Sequence, residues 1–195
     1  MIQAAAGGVG TAALQLAKAH GCEVFGTASN ASKLDLIRSL GADHAINYVA
    51  DDFSETIRNI TSGEGVDVVL EIVGGEVFRK SMELLNPFGR LVVIGFASLN
   101  LNKLNPLSWW KTWRAIPRVN IGAMANASQV VGASHLGYLL NDPKRMNQLW
   151  SDLTAFVTQH GIKPVVGHEF KFDEMPAAHA LMESRQSTGK IVVHL

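Results

Sequence analysis

A single cysteine, Cys22, excludes an internal disulfide. At the head of an apparent strand it is expected to be a packed thiol in a reducing, cytoplasmic setting. Charge is sparse and balanced: 17 basic residues offset 17 acidic ones, for a formal net charge of zero. No long-range field draws such a chain to nucleic acid or an anionic membrane, and neither is expected as a partner. No apolar run approaches the ~20 residues that span a bilayer. Residues 1–6 lack the basic region and long apolar stretch of a signal peptide. One cysteine and seven scattered histidines supply no set of four ligands for zinc, so no metal site is expected. His20 and His160 each precede a glycine at a helix end, and the other five histidines are expected to be unpaired.

Two further absences narrow the chemistry. Tyr48 is followed four residues later by Asp52, and Tyr138 by Asp142, so the Tyr–Lys pair of short-chain dehydrogenases is missing. No catalytic residue is assigned. There is also no internal repeat and no low-complexity segment.

Hydrophobic residues make up 47% of the chain, enough for a buried core. Their spacing predicts helices over 8–20, 32–40, 51–61 and 76–85, alternating with strands over 23–27, 44–48, 66–71 and 89–95. The strand over 66–71 is nearly apolar throughout, as for a strand covered on both faces. A helical, tryptophan-rich excursion over 100–120 (Trp109, Trp110, Trp113) precedes a strand over 129–133 and an amphipathic helix over 144–160. A strand over 163–172, a helix over 173–184 and a strand over 190–194 close the chain. This alternation implies an α/β fold: a Rossmann doubly wound parallel six-stranded sheet with a C-terminal strand-helix-strand appendage. The expected domains are 1–162 and 163–195. The glycine turn leaves only about five residues for the strand that feeds it, so the chain is expected to open inside its first strand.

The turn Ala5-Ala6-Gly7-Gly8-Val9-Gly10 lies between that strand and that helix. Aligned to G-x-G-x-x-G it supplies Ala5, Gly7 and Gly10, with the first glycine replaced by alanine. A diphosphate at a helix N-terminus is held by unpaired N–H groups and the positive end of the dipole. Gly7 admits the phosphates, and Gly10 lets the helix pack against its strand. Enzymes that use NAD place an acid at the end of the second strand, on the ribose 2′-hydroxyl. Here Ala28 occupies that place, followed by Ser29, Asn30 and Lys33, whose hydroxyl, amide and ammonium groups suit a 2′-phosphate. NADP(H) is therefore expected as coenzyme. The same residues also read as a capped helix with a solvated lysine, and both readings can hold together.

Residues 2–18 (IQAAAGGVGTAALQLAK), 40–48 (LGADHAINY), 66–75 (VDVVLEIVGG), 89–95 (GRLVVIG) and 178–193 (AHALMESRQSTGKIVV) resemble the medium-chain dehydrogenase/reductase superfamily. Within it the chain is similar to the zinc-independent quinone oxidoreductase branch. The tryptophan-rich stretch resembles that of its vesicle amine transport protein-like members. The similarity runs in order over nearly all 195 residues.

The resemblance implies NADPH-dependent hydride transfer to a quinone or conjugated carbonyl (enone). It puts diphosphate contacts on Gly7, Gly8, Val9 and Gly10, and 2′-phosphate contacts on Ser29 and Lys33. Tyr48 would lie beside the adenosine end, or simply cap the sheet. Val73 and Gly74 would line the cofactor groove. Gly95, Phe96 and Ala97 would face the nicotinamide side, with Gly132 and Ala133 beyond them. Arg185 and Lys190 would reach back to the cofactor, although Arg185 also reads as a solvated cation at a helix end. The family's β-rich catalytic domain precedes this fingerprint and is not found in residues 1–195. The chain alone is therefore expected to be a poor catalyst, residues 163–195 being a remnant of the catalytic domain. A homodimer through the edge strand 129–133 is expected. A non-catalytic nucleotide-binding or interaction module remains the alternative. A methyltransferase fits less well, since its adenosyl ribose calls for an acid where Ala28 stands.

Overall fold

The computed structural model describes residues 1–97 and 116–195, so the tryptophan-rich part of the expected excursion lies outside the described residues. The described chain alternates helices with parallel strands, as its hydrophobic periodicity requires. By contacts it divides into two compact units: one of residues 2–50 and 137–195, the other of residues 51–136 with Met1.

In the first unit, the expected opening strand is reduced to a single parallel bridge between Ile2 and Gly26. Helix α1 (Gly10–Ala19) follows the glycine turn, then β1 (Phe25–Ala28), α2 (Ala31–Ser39) and β2 (His44–Asn47). β1 and β2 pair in parallel, Phe25 opposite His44 through Ala28 opposite Asn47. All four β1 residues are buried, which explains the absence of charge in Phe25-Gly26-Thr27-Ala28. Asp43 binds the Lys18 ammonium at 2.7 Å and accepts the Val24 amide at 2.7 Å, and both bonds hold its carboxyl below the usual range.

Helix α6 (Pro143–His160) starts on an Asp142 cap that accepts the Arg145 amide. β6 (Val166–Lys171), α7 (Met175–Glu183) and β7 (Lys190–His194) form the expected strand-helix-strand, its two strands parallel. Gln15 of α1 clamps the backbone just before β6, donating to the Lys163 carbonyl at 3.0 Å and accepting its amide at 3.3 Å.

The second unit contains α3 (Phe53–Ile60), β3 (Val66–Glu71), α4 (Gly75–Glu83), β4 (Leu85–Val93), α5 (Ile121–Ala127) and β5 (Val130–Ala133). Its strands lie in the order β3-β4-β5, all parallel. β4 starts four residues earlier than its hydrophobic run implies. Leu85 already pairs with Val66, and the register shifts before Arg90 meets Val68.

Three expectations are corrected. β3 is not covered on both faces along its length, since Val68 is 52% exposed. Cys22 is exposed rather than packed, because β1 begins only at Phe25 and Cys22 sits in the turn after α1. His44 and His194 are paired, with Glu23 and Glu169 respectively, each at 2.7 Å. His44 also stacks on Phe25, and His20 stacks on Phe156 with ring centroids 4.4 Å apart.

Candidate functional site

At the start of α1, the Gly7 amide closes a tight turn onto the Ala4 carbonyl at 3.1 Å. The next amides, of Gly8, Val9 and Gly10, donate no hydrogen bond among the described residues, and α1 has no side-chain cap. Three adjacent N–H groups thus converge on the positive end of a ten-residue helix.

Two glycines there meet different demands. A Cβ on Gly10 would lie 2.5 Å from the Ala4 carbonyl oxygen and 2.6 Å from the Ala5 Cα, so backbone packs where a side chain would stand. A Cβ on Gly7 would meet only the Ala4 oxygen, at 3.4 Å, an ordinary contact. The fold itself therefore requires glycine at Gly10, whereas at Gly7 it leaves room for a methyl.

The C-terminal segment is stitched onto this turn. Gly7 bridges Gly189, whose amide donates to the Ala6 carbonyl at 2.8 Å. Gly189 adopts φ 56°, and a Cβ there would lie 2.4 Å from the Val165 oxygen. The Lys190 side-chain stem passes over Gly8, its Cδ 2.8 Å from where a Gly8 Cβ would be. The Lys190 side chain thus lies at the glycine turn.

Beyond β1, Asn30 caps α2 by accepting the Lys33 amide at 3.0 Å and the Ser32 hydroxyl at 2.9 Å. Its oxygen is therefore occupied. Ser29 is half-buried beside this cap, and Tyr48 is 49% exposed, its amide donating to the Ala28 carbonyl. Lys33 corrects the solvated-lysine reading: it is only 9% exposed, and its Nζ donates to the Arg185 carbonyl at 2.6 Å. Burial holds its ammonium below the usual lysine range.

In the other unit, Val73 and Gly74 follow β3 into the start of α4. Both amides are taken by one oxygen of Glu71, at 2.6 and 2.8 Å, while the Ser81 hydroxyl donates to the other at 3.2 Å. Glu71 is fully buried, and desolvation raises its pKa against these three bonds. Sequence reasoning passed over it; the signal was an acid ending an otherwise apolar run. Gly95, Phe96 and Ala97 leave β4, with the Ala97 amide on the Ile72 carbonyl at 2.8 Å and Phe96 43% exposed. Gly132 and Ala133 lie in β5 opposite Val92 and Val93.

A cleft of about 1060 Å³ in this unit is lined by Phe78, Met82, Val119 and Met124 among others, and includes none of the expected coenzyme residues. Among the described residues, no group of three or more His, Cys, Asp or Glu side chains could hold a metal ion. No helix among them is long and apolar enough to cross a membrane.

A family described as zinc-binding dehydrogenase matches residues 8–134. The synaptic vesicle membrane protein VAT-1 homolog of Mus musculus is 34% identical over 99% of this chain and 48% of its own length. A quinone oxidoreductase from Pseudomonas syringae superposes with a TM-score of 0.81 at 28% identity, over 100% of this chain and 55% of that one. A mycobacterial protein solved in complex with NADPH gives 0.82 at 26% identity, over 100% and 55%. The chain therefore spans about half the length of the curated relatives it matches. With the glycine turn, the parallel α/β units and this match in place, the chain belongs to the zinc-binding dehydrogenase family of the medium-chain dehydrogenase/reductase superfamily.

Proposed function

We propose that this chain binds NADP(H) as the coenzyme-binding part of an oxidoreductase that reduces quinones or conjugated carbonyls. The observation that carries this reading is the row of open amides at Gly8, Val9 and Gly10, on a helix start closed to side-chain bulk at Gly10. When bound, the coenzyme supplies the hydride. The residues of this chain bind and orient it: the amides and Lys190 hold the diphosphate, and Ser29 and Lys33 select the 2′-phosphate. Tyr48 lies along the adenosine and Arg185 reaches toward the coenzyme. Support for NADPH comes from Ala28, which leaves no carboxylate to repel a 2′-phosphate. In the 51–136 unit the assignment of Val73, Gly74, Gly95, Phe96, Ala97, Gly132 and Ala133 to the coenzyme rests on family resemblance. The amides of Val73 and Gly74 serve Glu71, which leaves their carbonyls and α-carbons as the contacting groups.

Fluorescence titration tests the reading. NADPH should bind more tightly than NADH, and Lys33→Ala should narrow the gap by about tenfold to a hundredfold, a charge-assisted phosphate bond being worth roughly 1.5–3 kcal/mol. Equal affinities in the unmutated chain would remove the 2′-phosphate assignment. Gly7→Val should weaken NADPH at least tenfold, whereas Gly7→Ala should leave the melting temperature within about 2 °C of the original, since its methyl meets only an ordinary contact.

The remaining assignments are proposals of the same kind. Residues 1–162 form the coenzyme domain, and 163–195 belong with the catalytic part. The reaction is zinc-independent, the setting cytoplasmic, and the edge strand β5 pairs two copies. Turnover with quinones and enones separates the enzyme reading from a non-catalytic nucleotide-binding module. We expect the 195-residue chain to bind coenzyme with little turnover, because hydride transfer needs the acceptor carbon held within contact distance of the nicotinamide.

A further inference from the structure

The Lys33 side chain is largely buried, and no carboxylate among the described residues pairs with its ammonium. The hydrogen-bond acceptor it has among the described residues is a neutral carbonyl, that of Arg185. Buried cations are ordinarily paired. The helix setting sharpens the anomaly, since Lys33 lies in the first turn of α2, where the dipole favours anions, and that turn carries no acid. An ammonium has three donors, so two remain for an anion.

The acceptor matters because of where it sits. Arg185 adopts φ 58° just after α7, at the start of the strap 185–190. The far end of that strap is fixed at the diphosphate turn by the Gly189 amide on the Ala6 carbonyl, and by the Lys190 stem over Gly8. One lysine therefore joins the ribose end of the expected coenzyme site to a segment more than 150 residues away in sequence.

We propose that the Arg185 carbonyl is a specificity-determining group: it fixes the Lys33 ammonium at the 2′-phosphate position, so that the strap 185–190 and the 2′-phosphate stabilise each other through one shared lysine. This rests on the coenzyme reading above and adds to it that preference for NADPH resides in the strap as well as in α2. Coupling is reciprocal: a phosphate on Lys33 tightens the strap, and a loosened strap weakens the phosphate. NADH, lacking the phosphate, draws less on the strap.

Hydrogen exchange of the full chain, read on peptides covering 184–190, tests this together with the NADPH and NADH dissociation constants. NADPH should slow strap exchange about fivefold more than NADH at equal saturation. Lys33→Met should speed strap exchange without coenzyme and erase the difference between the two coenzymes. Ser184→Ala leaves Lys33 intact but removes the hydroxyl that accepts the Gln186 amide and donates to the Leu181 carbonyl. It should loosen the strap and weaken NADPH several-fold while changing NADH less.

The coupling is refuted if Lys33→Met alters the NADPH-to-NADH ratio with strap exchange unchanged, or if Ser184→Ala loosens the strap without altering that ratio. In either case the coenzyme reading survives. If neither coenzyme binds the unmutated chain, the coenzyme reading itself fails, and the coupling with it.

Discussion

Gly10→Ala should lower the melting temperature by roughly 6–12 °C and abolish coenzyme binding, the cost of forcing a methyl into packed backbone being about 3 kcal/mol. The atoms in the way are the Ala4 carbonyl oxygen and the Cα and carbonyl carbon of Ala5, at 2.5, 2.6 and 2.7 Å. None is the end of a flexible side chain, so relief requires α1 to move off the turn. The Gly8, Val9 and Gly10 amides move with it. Thermal denaturation followed by circular dichroism measures the first effect, and NADPH titration at a temperature where the variant remains folded measures the second. A variant that melts within a degree of the original would show that the helix is not seated as described.

Glu71 should give the second large effect. Glu71→Leu removes the acceptor of the Val73 and Gly74 amides in a buried site, at about 3 kcal/mol. Glu71→Gln keeps an oxygen for both amides and should cost about 1 kcal/mol or less near neutrality.

The two variants also separate charge from hydrogen bonding. Because the folded pKa of Glu71 lies above its ordinary value of 4.5, the folded chain holds this proton more tightly than the unfolded chain does. The contribution to stability is then fully present below 4.5 and declines as pH rises through the raised value. Glu71→Gln lacks that slope, so denaturation measured from pH 4.5 to 8 should show the balance shifting toward the glutamine variant as pH rises. Asp43 and Asp52, both held below the ordinary carboxylate value of 3.8, act in the opposite sense, losing stability as pH falls below that value. The two effects occupy different pH windows. A pH-independent difference between the original chain and Glu71→Gln would mean that Glu71 is not desolvated.

Much of this was legible in the sequence because the information is local. Pattern and caps placed α2 and α6 to within a residue or two, and the strand over 190–194 coincides with β7. The glycine turn was legible because its tight packing constrains adjacent residues, Gly10 above all. What escaped was carried by contacts distant in sequence. His44 finds Glu23 and His194 finds Glu169 only once strands align, 21 and 25 residues apart. Lys33 read as solvated because its acceptor is a backbone carbonyl 152 residues on.

Other misses were local conflicts of signal. Asn86-Pro87 reads as a stop, yet β4 runs through it by placing Phe88 at φ 66° and shifting register. Helix α5, in the run Ile-Gly-Ala-Met-Ala-Asn-Ala, has no apolar period to reveal it. Its one sign was Asn120, which caps it by accepting the Ala123 amide.

In the proposed function the backbone amides at the head of α1 receive the coenzyme diphosphate, and amide chemical shifts report on those groups one by one. In a ¹⁵N-labelled sample titrated with NADPH, the Gly8, Val9 and Gly10 resonances should move furthest and saturate together, with Lys33 following for NADPH but much less for NADH. If NADPH leaves those three resonances where they were while shifting others, the phosphate turn is not the binding site and the central claim is wrong.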